Sequence, residues 1–351
     1  MTILLAIVGL SALIVVHELG HMLAAKAMGV KVIEFAIGFG PPLLKKKLGK
    51  TTYSIRIILL GGFVKMAGMN NEEEGPESYN SKAAWRRAFI ILAGPLANLL
   101  AAVLILTALY MSGVPTAVTT EVEEVVPGSL AAEVGVRGGD RVVSVDGEEV
   151  ESWSQFQEAV GNRQPGDEVE FVVERDGERK RFSGTLAADP EDPERAIVGV
   201  RPVVVETRYG PLAALGLGVE KTVEMIGLFG WFIGQLVTGE VDFYDSVSSP
   251  IGVVGVSSDV ASRGAQSFAQ LLALISVNLA VFNLLPMLPL DGGHLLFIGA
   301  EKVLRRPVSA ETVGRIAALG LALILMLFVF ATYADLSKIF TGQPFIPEGR
   351  P

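Results

Sequence analysis

The sequence predicts a polytopic α-helical membrane protein: four transmembrane helices, a membrane re-entrant β-hairpin and one inserted extracytoplasmic α+β domain. Three observations lead there. Half of the 351 residues are apolar and only 19% are charged, with a mean hydropathy of +0.47, whereas a soluble chain carries about a quarter charged residues. Four apolar stretches approach or exceed the roughly 20 residues that a bilayer-spanning helix needs. An acidic, turn-rich block lies between the second stretch and the third. The absence of cysteine excludes disulfide scaffolds, thiol nucleophiles and cysteine-ligated metal sites. A net charge of −9 excludes a nucleic-acid partner, because neutralising a phosphate backbone needs a basic surface.

The first span covers about residues 1–25, with Glu18 as its one strongly charged residue. No basic stretch precedes it, so it is expected to be retained rather than cleaved as a signal peptide. The second span, about 88–111, holds no charge, and the third, about 268–290, holds none before Asp291. The fourth lies near 316–333. Residues 225–237 are also apolar, but they are short and follow Glu220, Lys221 and Glu224. Charges of that kind are costly in lipid, so this segment reads as an interfacial or bundle-packed helix within an extracytoplasmic linker, 204–267.

Loop charge supplies the orientation. Residues 26–87 contain eleven Lys/Arg against five Asp/Glu, and 112–215 contain ten basic against twenty-one acidic residues. The positive-inside rule places the first segment in the cytoplasm and the acidic one outside, with both termini outside as well. The expected location is the bacterial cytoplasmic membrane, with the lipid bilayer as an obligate partner.

Residues 51–66, TTYSIRIILLGGFVKM, are rich in β-branched residues around Gly61–Gly62 and read as two short strands about a turn. Their apolar character, close after a membrane helix, suggests a hairpin dipping back to membrane depth, where such backbone must be buried in protein or line a cavity. Residues 70–81 read as a polar, turn-rich linker. The inserted domain spans about 114–203. Within it 142–145 and 169–173 are strand-like, Asp146–Gly147 and Asp176–Gly177 are hairpin turn signals, and 153–160 reads as a short helix. The flanking membrane parts are 1–111 and 268–351.

The chemistry concentrates in three histidines. His17 and His21 stand in H-E-L-G-H, and residues four apart share one helix face. That spacing lets both imidazoles bind one Zn²⁺, with Glu18 beside them as general base. Ionisable groups inside a span are expensive and mark function. A third ligand is needed, and the remaining histidine, His294, lies in L-D-G-G-H at the end of span three. By spacing alone either Asp291 or His294 completes the site. Upstream, N-L-L-P-M-L-P at 283–289 must break or kink its helix, as expected for a segment lining a functional cavity.

Taken together, these motifs resemble the site-2 protease family of intramembrane zinc metalloproteases, in particular its bacterial regulator-of-sigma-E protease branch. The resemblance runs through H-E-L-G-H, G-F-G-P at 38–41, the hairpin ending G-G-F-V-K-M, A-G-P-L-A-N at 93–98 and N-L-L-P…L-D-G-G-H at 283–294. It implies zinc ligation by His17, His21 and Asp291, catalysis by Glu18, and contact of Asn283 with the substrate or the developing oxyanion. His294 matches a position outside the ligand set. The inserted domain looks like a single PDZ domain, carrying V-P-G-S at 126–129 and G-D-R-V at 139–142, and implies peptide termini as partners or a filter over the site. Pro289 stands one position later than in the usual tract, although Asn283 and Asp291 keep the family spacing. The implied activity is hydrolysis of peptide bonds in or near the transmembrane segment of single-span membrane proteins, such as anti-sigma factors or remnant signal peptides. The rival from another class is a non-catalytic membrane PDZ adaptor or chaperone with a vestigial metal site, which the four intact site residues oppose.

Overall fold

The computed structural model describes residues 2–69, 75–161, 163–189, 195–240, 249–306 and 308–341. Two compact units result: Met1–Met111 together with Gly210–Pro351, and Ser112–Tyr209 between them.

Apolar helices dominate the first unit. Helix α1, Thr2–Ala27, and helix α2, Ala84–Ser112, are long and apolar enough to cross a membrane. Leu4, Val8 and Leu104 are more than half exposed on them, which is surface a bilayer would cover. Between these helices lie β1, Val32–Leu48, and β2, Thr51–Met66. The turn of this hairpin falls at Gly49–Lys50, earlier than the Gly61–Gly62 turn expected from the sequence. Residues 51–66 do form two strand segments, but these do not pair with each other. Phe35, Ala36 and Ile37 face Val64, Phe63 and Gly62 on one flank and Tyr53, Ser54 and Ile55 on the other, while Leu44–Lys47 face 52–55 from beyond. The spatial order is therefore 42–48, 51–56, 34–37, 62–66. The turns that reverse the chain use Gly38, Gly40 and Gly61, all at positive φ.

Residues 70–74 of the expected polar linker lie outside the described residues. The remainder is less solvated than its composition suggests. Tyr79 is 5% exposed and joins Met22, Phe35, Met66, Ile90 and Ile298 in a buried cluster beneath the hairpin.

The later part of this unit corrects the expected third span. Its helix, numbered α7 in chain order, covers Ala265–Asn283 and stops there. Residues 284–290 form turns, and a separate helix, α8, covers Asp291–Leu304. Pro286 and Pro289 supply the break, since neither can donate the helical hydrogen bond. The final helix, α9, Ala310–Thr341, extends well past 316–333 at both ends. The expected short helix at 225–237 is the second half of α5, Pro211–Thr238, which starts on a proline and is closed by Gly239 in the left-handed conformation. Part of the expected linker forms a further helix, α6, Pro250–Ser262; 241–248 lie outside the described residues. Among the described residues four helices qualify as spans, α1, α2, α7 and α9, and α5 with its charges is not one of them.

The second unit is a mixed α/β domain. Strands β3, Val114–Val125, β4, Arg141–Val145, β6, Glu168–Arg175, β7, Glu178–Thr185, and β10, Val200–Thr207, form a sheet in the order β10-β3-β4-β6-β7, with β5, Glu148–Glu149, paired to β4. A small ribbon pairs β8, Ala187–Ala188, with β9, Ala196–Ile197. Both Asp-Gly turns are found where expected, with positive φ at Asp146, Gly147, Asp176 and Gly177. The last strand runs past the expected boundary near 203, because Thr207 must reach Val114 to complete pairing with β3. Helices α3, Leu130–Val134, and α4, Trp153–Gly161, add Leu130, Phe156 and Val160 to a core of Val122, Val142, Val169, Phe171 and Val173. Beside this core, Asp140 accepts from Arg175 Nε at 2.6 Å, Arg175 Nη2 at 2.7 Å and the Arg137 N–H at 2.8 Å. Burial alone would raise the Asp140 carboxyl, but these charge-assisted bonds outweigh it and hold the group below the usual carboxylate range.

Candidate metal centre

Two helical positions four residues apart, as the sequence requires, bring the Nε2 atoms of His17 and His21 to 3.1 Å. Their rings meet edge to face. Both side chains are buried although α1 is otherwise apolar. They are accommodated because α1 and α2 touch backbone to backbone. A Cβ at Gly20 would overlap the Ala93 carbonyl, and one at Gly94 would overlap His21 and lie 2.8 Å from His17 Nε2. Small residues at such a contact let helices approach closely. The approach also lets His21 Nδ1 donate to the Ile90 carbonyl of α2 at 2.9 Å, which leaves Nε2 as the free lone pair.

Asp291 arrives from the other end of the unit. It is the first residue of α8, where a carboxylate suits the positive end of the helix dipole. The two glycines after it explain its aim: any Cβ at Gly292 would overlap the Leu284 and Leu285 carbonyls, and one at Gly293 the Leu288 amide. The turn at 284–290 can therefore fold tightly over the first turn of α8. The result sets Asp291 Oδ2 3.1 Å from His17 Nε2 and 3.3 Å from His21 Nε2.

These three atoms are a fit for a cation. Zinc bonds of about 2.0–2.1 Å in a tetrahedron place ligand atoms about 3.3–3.4 Å apart, close to the distances found. Oδ2 of Asp291 is buried and makes no hydrogen bond among the described residues, the state expected of an oxygen that waits for a metal. Where a Cβ would intrude on both Nε2 atoms, the chain has Gly94. Glu18 stands beside the cluster, with its Cγ facing Gly62. The hairpin segment 62–66 thus borders the same space.

Of the sequence-predicted residues, His17, Glu18, His21 and Asp291 come together. Asn283 does not join the three ligand atoms; it ends α7, where its Nδ2 donates to the Leu279 carbonyl at 2.9 Å. His294 also lies outside the ligand group and lines a cavity of about 630 Å³ with Tyr79, Arg87, Leu288, Pro289 and Glu301. Arg87 Nη2 and Glu301 form an ion pair at 2.7 Å that ties the start of α2 to α8. Gly20 carried no reading in the sequence beyond its place in H-E-L-G-H, and Gly94 entered only within A-G-P-L-A-N, although Gly94 and Asn98 repeat the four-residue spacing of the histidines on the facing helix.

In the second unit a groove of about 450 Å³ runs between α4, through Trp153, Phe156 and Val160, and the chain at 197–201.

The profile described as Peptidase family M50 matches residues 5–327. A protein of Mesorhizobium japonicum that carries a zinc metalloprotease name is 34% identical, with 93% of this chain and 96% of that protein aligned. One from Clostridium perfringens with a similar name is 32% identical, over 96% and 98%. The regulator of sigma-W protease RasP of Bacillus subtilis is 28% identical, over 97% and 99%. Among solved structures, the PDZ domain of an SdrC-like protein from Listeria monocytogenes is 20% identical and covers 26% of this chain and 90% of its own, with a TM-score of 0.21.

Proposed function

The chain belongs to peptidase family M50 and is a zinc metalloprotease of the membrane, and from that premise we propose that it cuts peptide bonds within or near the transmembrane segment of single-span membrane proteins. One observation carries the reading: the three converging ligand atoms draw two of their members from a helix long and apolar enough to span a bilayer.

In this reading His17, His21 and Asp291 hold the zinc, and Glu18 is the catalytic base. Zinc, when bound there, supplies a Lewis acid for the scissile carbonyl and for water. Glu18 takes the proton from the attacking water and returns it to the leaving amine. Packing of its side chain against Gly62 of the hairpin holds the carboxyl beside the ligands before substrate arrives. The Ile90 carbonyl holds His21 in the tautomer that offers Nε2. Asn283 is the candidate oxyanion or substrate contact, and to serve it must exchange its bond to Leu279 for one to the substrate.

A substrate helix hides its peptide bonds in its own hydrogen bonds and has to unwind before attack. The segment 62–66 has a strand partner on one flank, 32–37, and lies against Glu18, which makes it the edge on which an unwound stretch pairs. Residues 53–55 are flanked by strands on both sides and are unsuited to that task. The β1–β2 sheet is the re-entrant element, at membrane depth on the cytoplasmic side. The unit at 112–209 is a PDZ domain placed outside, and its groove between α4 and 197–201 takes peptide termini. Anti-sigma factors and remnant signal peptides are substrate classes consistent with the RasP relative, which is named as a sigma-W regulator.

The test is cleavage of a single-span substrate by purified protein in detergent, wild type beside Glu18→Gln, with zinc counted in both. Cleavage by the wild type alone, with one zinc in each, is the expected result. Equal cleavage by both proteins removes Glu18 from its role, and zinc in neither puts the non-catalytic adaptor first.

A further inference from the structure

Asn98 lies one helical turn beyond Gly94 on α2 and is completely buried. Its backbone carbonyl accepts from Ser276 Oγ of α7 at 2.8 Å. Its side-chain amide faces His17: Nδ2 is 3.4 Å from Nδ1, while Oδ1 has no hydrogen-bond partner among the described residues. That pairing conflicts with the rest of the site. If Nε2 of His17 points its lone pair at a cation beside His21 and Asp291, the proton of a neutral imidazole must sit on Nδ1. Nδ1–H needs an acceptor, and an amide NH₂ offers none. A half-turn of the amide exchanges oxygen for nitrogen in the same volume, brings Oδ1 to Nδ1–H and gives the orphan oxygen its partner.

We propose that Asn98 is the positioning residue for His17, accepting the Nδ1 proton through its side-chain carbonyl and so holding Nε2 towards the zinc. The two histidines are then oriented by the same helix, His21 through the Ile90 main chain and His17 through a side chain. Only the second can be removed by substitution. Partners of this kind fix both tautomer and ring orientation of a metal-binding histidine, and their loss weakens metal affinity 10–100-fold. The inference rests on the zinc-protease reading of the same site.

The experiment measures zinc retention by the full-length protein in detergent against a competing chelator, for wild type, Asn98→Leu, Asn98→Asp and Ser276→Ala. The visible spectrum of each cobalt-substituted protein is recorded as a second readout. Asn98→Leu is expected to hold zinc 10–100-fold more weakly and to shift the cobalt spectrum. Asn98→Asp keeps an acceptor towards Nδ1–H and is expected to hold zinc at least as tightly as wild type, which remains decisive if the leucine variant fails to fold. Ser276→Ala removes a helix–helix bond but leaves the amide in place, so its zinc affinity should stay within twofold of wild type. The proposal is overturned if Asn98→Asp loses zinc as Asn98→Leu does, if Asn98→Leu folds and binds normally, or if Ser276→Ala weakens zinc as strongly. A wild type that binds no zinc removes the reading and the inference together.

Discussion

Gly94 faces His21 across the contact between α1 and α2 so closely that a methyl group on its Cα would overlap Nε2, and it would also crowd His17. The position is a cradle for the two imidazole nitrogens that converge there with Asp291. Gly94→Ala is therefore expected to cost most of the bound zinc, about tenfold or more in affinity, while helix content stays the same, since alanine favours a helix by about 1 kcal/mol over glycine. Metal analysis beside circular dichroism checks it. Normal zinc in a folded Gly94→Ala protein would mean that the helices have room to separate there.

His17, His21 and Asp291 converge in the structure, and for the two histidines the reason is geometric. His17 and His21 belong to one helix, whose period is known in advance, so their meeting could be read from spacing. Asp291 could be chosen over His294 only by family resemblance, because the fold of 284–290 depends on tertiary contacts at Gly292 and Gly293. The sheet order was harder still. Residues 51–66 announce two strands by composition, but nothing local says that 34–37 will lie between them. Likewise α7 ends at Asn283 because Pro286 lies ahead, a signal present in the sequence, yet the hydrophobic run to Leu290 masks it when length alone is counted. Asn98 stands out in the sequence as the end of A-G-P-L-A-N and as a polar residue in an uncharged span, but its partner cannot be read there. Its meaning lies in the face it shares with Gly94 and in what α1 places opposite.

Zinc removal should loosen one place before others. The cluster joins α1 to the first turn of α8, and without a cation three electron-rich atoms within 3.3 Å of one another are left unshielded. Chelation is expected to speed amide exchange at 284–294 by tenfold or more, with little change in α2, whose contacts with α1 at Gly20 and Gly94 are of packing rather than charge. Hydrogen exchange with mass detection distinguishes this from global unfolding, in which all helices would exchange together.

The second unit has its own pH dependence. The folded-state pKa of Asp140 lies below its unfolded value, so its contribution is complete above about pH 4, the ordinary aspartate pKa. It is lost as the pH falls through the depressed folded value. Neutral-pH stability should thus be flat and acid stability should drop only below about pH 4. Asp140→Asn leaves Arg175 without its carboxylate and should lower stability at neutral pH, with the acid dependence much reduced. Trp153 reports on this unit alone once Trp85 and Trp231, both 62% exposed, are changed to phenylalanine. An unchanged acid transition in Asp140→Asn would assign that dependence to other groups.

Which strand receives the substrate can be decided by cross-linking, because the chain has no cysteine of its own. In the order 42–48, 51–56, 34–37, 62–66 both outer segments are edges, yet only 62–66 borders Glu18. The far edge carries Lys45, Lys46 and Lys47, all exposed, a pattern that discourages strand addition. A single-span substrate with one cysteine beside its cleavage site should therefore form a disulfide with Phe63→Cys about tenfold more than with Lys45→Cys, both in the Glu18→Gln background to prevent turnover. The yield at Phe63→Cys should also fall when uncut, cysteine-free substrate is added in excess, as competition for one edge requires. Equal yields at the two positions would mean that substrate meets the sheet without choosing an edge, and the unwinding step would then have to be assigned to the helices around 284–290.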